Sequence, residues 1–345
     1  MAKRRLSQQQ RRRIAATQKA RRDKASRRAM DNIDGDDEPG VVVAHFGQQL
    51  AVRPLSGEAT AEIRCHALAT VEELVTGDEI LWRRADETTG VITARQPRRS
   101  EIRRPDKYGN LKPVAANIDR LVVIIAPVPE PHANLIDRYL AAAEVSGIEP
   151  ILVLNKDDLP LDDDQSAALT HLLHRYRQLG YQTLRLSAEG ESRDSLSDLT
   201  ALLQDLNSVM VGQSGVGKSS LIQRLLPGED LRIGALSEVG KGTHTTTTAR
   251  MYALPEGGQM IDSPGIREFG LWHMSADELA RGFVDIAPLV ERCRFRNCSH
   301  RNEPGCALDE AVADGRLSPQ RLQSFRHILQ EMGQQGERNS RRPTS

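Results

Sequence analysis

The chain has 345 residues, 39% of them hydrophobic, so it is long enough for two or three domains and can bury a core. Its 47 Lys/Arg balance 47 Asp/Glu, yet residues 1–30 hold 12 Lys/Arg against one acid, Asp23, so this arm carries +11 and the remainder −11. The longest strongly apolar stretch, residues 121–128, falls well short of the roughly 20 residues a membrane-spanning helix needs, which excludes that class.

The basic arm lacks the apolar run of a secretory signal, and its apolar residues are too sparse to line the face of a presequence helix. Residues 31–40 are acidic and Gly/Pro-punctuated, so residues 1–38 are expected to be a disordered basic arm and acidic linker. Between 39 and 110, runs rich in Val, Ile and Thr at 41–46, 49–53, 61–67, 79–83 and 90–94 alternate with turn residues. Five short strands in this span predict an OB-type β-barrel, a fold that commonly binds RNA. Arg98, Arg99, Arg103 and Arg104 are expected to extend a basic surface at its exit, and Cys65 to be a core residue.

The pattern changes over 111–270. The apolar run at 121–126 reads as a buried strand, and 134–146 has helical spacing that Gly147 stops. Strands at 151–154, 183–187 and 208–211 then alternate with helices at 165–179 and 195–206, which predicts a parallel sheet covered on both faces.

Gly212, Gln213, Ser214, Gly215, Val216, Gly217, Lys218 and Ser219 make a complete phosphate-loop motif between a predicted strand and a predicted helix at 219–226. Glycines let backbone N–H groups close around phosphates, Lys218 reaches the β- and γ-phosphates, and the Ser219 hydroxyl is suited to Mg²⁺. Asn155, Lys156, Asp157 and Asp158 fit N-K-x-D directly after a strand. A carboxylate at Asp158 can accept hydrogen bonds from guanine N1–H and its amino group, a pair of donors adenine lacks. Asn155 would brace the phosphate loop, the Lys156 stem would lie along the base, and Ser187 with Ala188 would present a backbone N–H to guanine O6. Asp262, Ser263, Pro264 and Gly265 resemble switch II, with Asp262 holding Mg²⁺ through water and Gly265 N–H on the γ-phosphate. Residues 240–248 have the glycines and hydroxyls of a switch I, where Thr246 or Thr247 completes the Mg²⁺ shell.

In ordinary GTPases the phosphate loop comes first and N-K-x-D late; here the order is 155, 187, 212, about 240 and 262, a circular permutation. With these motifs in this order, the chain resembles the bacterial ribosome small-subunit-dependent GTPase A (RsgA, or YjeQ) family of circularly permuted GTPases over nearly its whole length. Two departures are visible: Ser263 stands for the usual Thr, and Thr243 replaces a basic residue before His244. The resemblance implies a GTP hydrolase, an acid-anhydride hydrolase whose GTP contacts also take in Ser220. It further implies late maturation of the small (30S) ribosomal subunit, with GTP and GDP as ligands and hydrolysis timing release.

Residues 271–345 are expected to form a mainly helical zinc-binding domain with a basic tail. Cys293, Cys298, His300 and Cys306 supply three thiolates and one imidazole, which fills a tetrahedral Zn²⁺ shell and leaves no open position, so the ion should be structural. Arg292, Arg294, Arg296 and Arg301 surround it and can meet RNA phosphates. Ile266 stands where many GTPases carry a water-orienting glutamine, so His244 is the candidate to position water; contact with partner or phosphate is the competing role. With aromatics at 3%, rRNA recognition is expected to favour shape and backbone over base stacking. The overall expectation is a cytoplasmic monomer. Two other functions compete: an RNA-binding scaffold with a vestigial nucleotide site, and a metabolic P-loop kinase.

Overall fold

In the computed structural model, five strands wrap near the N-terminus: β1 (Glu38–Phe46), β2 (Gln49–Pro54), β3 (Ile63–Ala67), β4 (Glu79–Arg84) and β5 (Thr89–Arg95). The structure describes residues 36–47, 49–56, 61–106, 109–188, 193–228, 249–262, 274–301 and 303–340, without the side chains of 193–195 and 334–340. Strands pair in the order β1, β2, β3, β5, β4, and β4 closes on β1 with Val41 opposite Glu79, so no edge is left open. β3 and β5 run parallel and the other pairs antiparallel, which is the OB arrangement.

Alternating side chains fill the barrel: Val42, Val52, Ile63, Cys65, Ile80, Trp82 and Ile92 form one buried cluster. Burial pushes the Cys65 thiol up to about 12, so it stays protonated and acts as a core residue. Arg98 does not extend a surface as the sequence suggested. Its guanidinium binds both oxygens of fully buried Asp78 at 2.7 and 2.8 Å, because that carboxylate needs a charged partner.

The described residues form two compact units, one drawn from Met1–Arg98 and Thr248–Met251, the other from Arg99–Thr247 and Tyr252–Ser345. The barrel unit regains the chain at Arg250, which pairs with Ala44 in register and bonds Glu62 at 2.7 Å. The hairpin of β6 (Glu101–Pro105), which lies inside the range expected for the barrel, and β7 (Leu111–Ala116), which lies just beyond it, belongs to the second unit. There Asn117 accepts from Arg99 N–H and Ser100 donates to Ile118 C=O. Arg99 also reaches Asp119, and Arg103 pairs with Glu101.

The second unit is built on parallel strands in the order β10 (Gln182–Arg185), β9 (Glu149–Leu154), β8 (Arg120–Ile125), β11 (Asn207–Gly212), β13 (Gln259–Asp262). β12 (Arg250–Ala253) precedes β13. Every residue of β8 is buried, as a β-branched central strand covered on both faces should be. Helices α1 (Ala133–Ser146), α2 (Asp163–Gln178), α3 (Arg193–Leu203) and α4 (Lys218–Leu225) connect the strands. α1 ends at Gly147 with φ 65°, the left-handed cap glycine tolerates, and α2 starts with a capping box between Asp162 and Gln165.

After β13 the chain is helical: α5 (Ala276–Arg281), α6 (Ala287–Val290), α7 (Ala307–Ala313) and α8 (Pro319–Ser340). These helices, where the sequence places the zinc-binding region, fall with the sheet in the second compact unit. Buried Arg321 on α8 binds Asp137 on α1 and Asp285 before α6, and Phe283 meets Phe325 edge-on at 5.4 Å.

Candidate nucleotide and metal sites

Two loops at strand C-termini meet where open α/β sheets bind ligands. The first follows β11. Gly212 has φ 143°, and a Cβ there would lie 2.2 Å from Ile124 C=O; Gly217 has φ 92°, and a Cβ there would lie 2.3 Å from Asn155 Nδ2. Only glycine fits either position, so the phosphate loop can press against β8 and against Asn155. α4 then opens at Lys218, directing its first N–H groups at the loop. Lys218 Nζ donates to Gly212 C=O at 2.8 Å and Gln213 C=O at 2.5 Å, which folds the ammonium over the loop.

The second loop follows β9. Asn155 is fully buried and joins three segments: its Nδ2 donates to Val216 C=O at 2.9 Å and its Oδ1 accepts from Ala188 N–H at 3.0 Å. Lys156, held at φ 61°, donates from Nζ to Gly215 C=O at 2.6 Å and Val128 C=O at 3.2 Å. The Ser187 hydroxyl donates to Asp158. A cavity of about 370 Å³ lies among Asn155, Lys156, Asp158, Ser187, Ala188, Gly217 and Ser220, with Val128 and Leu159 as its apolar wall. That volume lies within the range of ligand pockets.

The two adjacent aspartates diverge. Asp158 lines the cavity, whereas Asp157 binds Arg185 at 2.7 Å and holds that guanidinium above its usual pKa through the hydrogen bond. Val128, Leu159 and Arg224 carried no sequence signal. Arg224 donates to Ala188 C=O at 2.6 Å and so ties α4 to the Ser187 loop, although nothing in its spacing announces it.

Ser219 lies in the first turn of α4 and Asp262 at the end of β13, the strand next to β11, so both hard oxygen donors expected for Mg²⁺ belong to the same sheet edge. Thr243, His244, Thr245, Thr246, Thr247, Ser263, Pro264, Gly265 and Ile266 lie outside the described residues.

The ligand atoms of Cys293, Cys298, His300 and Cys306 all lie within 4.8 Å of one another. Tetrahedral Zn–S bonds of about 2.3 Å put sulfurs about 3.8 Å apart, so the spacing fits the ion. His300 turns Nδ1 inward, 3.5 Å from Cys293 Sγ and 3.8 Å from Cys306 Sγ. Burial raises the three thiols and lowers the imidazole, so without a cation the cluster holds neutral groups, and metal binding must displace thiol protons. An outer shell fixes the loop: Arg326 donates to His300 C=O at 2.7 Å, and Glu303 accepts from Ser299 N–H at 3.0 Å and Arg301 N–H at 2.8 Å. Cys306 also occupies the N-cap position of α7.

Among the described residues no helix is long and apolar enough to cross a membrane. The RsgA GTPase family model matches residues 95–272. The small ribosomal subunit biogenesis GTPase RsgA of Ectopseudomonas mendocina is 53% identical over 338 residues, covering 95% of this chain and 98% of its own. That of Pseudomonas aeruginosa is 52% identical over 341 residues, covering 96% and 98%. Among solved structures, YloQ, a circularly permuted GTPase, superposes with a TM-score of 0.70 at 26% identity over 90% of this chain and 98% of its own. YjeQ from Thermotoga maritima gives 0.70 at 27% identity over 86% and 99%.

Proposed function

The chain belongs to the RsgA GTPase family and is a GTPase of small ribosomal subunit biogenesis; from there we propose that binding to small-subunit rRNA stimulates its GTP hydrolysis, and that hydrolysis times its release. The scaffold and kinase readings find no support in relatives named as GTPases. We place the work in the cytoplasm, where one protein chain meets one subunit.

The observation that carries this reading is Asn155, which bridges Val216 in the phosphate loop to Ala188 beside the base pocket. One side chain thus sets the distance between phosphates and base. Asp158 accepts from guanine N1–H and the amino group, Ser187 orients Asp158, and the Lys156 stem covers the base. Gly212, Gln213, Ser214, Gly215, Val216 and Gly217 supply backbone N–H groups to the phosphates. Lys218 exchanges its two carbonyl partners for β- and γ-phosphate oxygens as nucleotide enters. Mg²⁺, bound with GTP, neutralises phosphate charge, and Ser219, Asp262 through water, and Thr246 or Thr247 are the residues suited to hold it. Gly265 N–H meets the γ-phosphate, and His244 orients attacking water where Ile266 cannot. Cys293, Cys298, His300 and Cys306 hold one structural Zn²⁺, which fixes the loop that faces RNA.

The experiment is multiple-turnover hydrolysis of GTP and of ATP, with and without purified small subunits. Strong stimulation of GTP hydrolysis alone is the expected result. Equal rates with and without subunits, or turnover of ATP, would contradict it.

A further inference from the structure

The Cys293 to Cys298 spacing leaves four residues, Arg294, Phe295, Arg296 and Asn297, projecting between two metal-ligand positions, and all four are exposed. Phe295 exposes 49% of its surface, unusual for a large apolar side chain in a protein with five phenylalanines. The Arg294 guanidinium lies 5.5 Å from the ring centroid, a cation–π distance, and leaves much of the ring open. The turn is held at both ends: Arg294 N–H donates to Gly305 C=O at 3.0 Å and Cys298 N–H to Phe295 C=O at 3.2 Å. Arg292, Arg294 and Arg296 are exposed, and none carries an ion pair among the described residues. An open aromatic face among guanidinium groups that carry no ion pair with a described residue matches a π-faced, anionic partner. A protein surface would have to bring carboxylates to all three arginines, whereas a nucleic-acid strand carries a phosphate at every residue.

We propose that Phe295 is a stacking platform for one unpaired base of the small-subunit rRNA, with Arg292, Arg294 and Arg296 on its flanking phosphates. This rests on the rRNA-binding reading above and names the residue through which the zinc loop grips the RNA. Base–aromatic stacking is sequence-tolerant and sizeable per base, and a preformed platform spends little entropy on binding. The low aromatic content pointed to backbone recognition; the exposure of this ring marks one point where a base is read instead.

The test compares small-subunit binding by wild type, Phe295→Leu, Phe295→Ala and Phe295→Tyr, with zinc content and GTP affinity measured for each. Wild-type protein bound to subunits is also crosslinked at 254 nm and its peptides searched for nucleotide adducts. The expected result is about tenfold weaker binding for Leu and Ala, retention by Tyr, unchanged zinc and GTP affinity, and an adduct on the peptide containing Phe295. Wild-type affinity in Phe295→Leu overturns the proposal, as does a crosslink from this peptide to a ribosomal protein with no nucleotide attached. Failure of the wild type itself to bind subunits overturns the reading beneath it.

Discussion

Arg321 Nη1 lies 2.5 Å from Asp137 Oδ1, and the two side chains are 3% and 1% exposed. They join α8 to α1 across 184 residues of sequence. Asp285 takes the other edge of the same guanidinium at 2.8 Å, and the Tyr176 hydroxyl donates to Asp137 at 2.7 Å. Burial works to lower the Arg321 pKa, but Asp137 and Asp285 hold it above its usual value. One residue further along α1, Arg138 pairs with Glu331, and next to it Tyr139 lines the same small cavity as Gly212. The C-terminal helix is thereby tied to two consecutive positions of α1, and the third lies beside the first residue of the phosphate loop.

Replacing Arg321 by Met strands the buried carboxylate of Asp137 and the partly buried one of Asp285. We expect a loss of about 3–5 kcal/mol in urea unfolding, and a smaller one for Arg321→Lys, which keeps the charge and loses the fork. An unchanged midpoint for Arg321→Met would show that the pair is idle.

Such a pair is invisible in the sequence because neither residue has a local signature. The phosphate loop and Asn155 to Asp158 were legible for the opposite reason: their chemistry needs fixed residue types at short spacing. The motif pointed to Asp158 as the acid that lines the pocket; what it did not reveal is that Arg185 claims the neighbouring Asp157. The barrel strands were legible from alternation, yet Arg98 read as surface because its partner Asp78 lies twenty residues earlier. Composition averaged away Phe295 and also Phe46, which is 42% exposed with the Arg64 guanidinium 3.6 Å above its ring.

The metal cluster should hold one zinc per chain. Stripping it with a strong chelator, or Cys306→Ser, should expose residues 293–306 to protease, because His300, Cys306 and the start of α7 share that anchor. A protease pattern indifferent to chelator would argue against a structural ion.

His244→Ala should keep GTP affinity and slow subunit-stimulated hydrolysis, since only the arrangement of water is lost. Stimulated turnover equal to wild type would assign His244 to contacts alone. Of Thr246→Ala and Thr247→Ala, one should match Ser219→Ala in weakening Mg²⁺-dependent binding.

Deleting residues 1–30 removes a charge of +11. Subunit affinity should fall at least tenfold at low salt, and its dependence on salt concentration should flatten, because fewer counterions are released. An unaltered salt slope would mean that the arm does not touch RNA.

The proposed guanine pocket is assembled from permuted motifs, with Asp158 as the acid proposed to read the base. Xanthine carries a carbonyl where guanine carries its amino group, so Asp158→Asn should reverse the pairing. Measuring GTP and XTP affinities of wild type and Asp158→Asn is therefore the most direct test. The expected result is a loss of GTP affinity of at least tenfold in the variant together with a gain for XTP; undiminished GTP binding by Asp158→Asn would contradict the account.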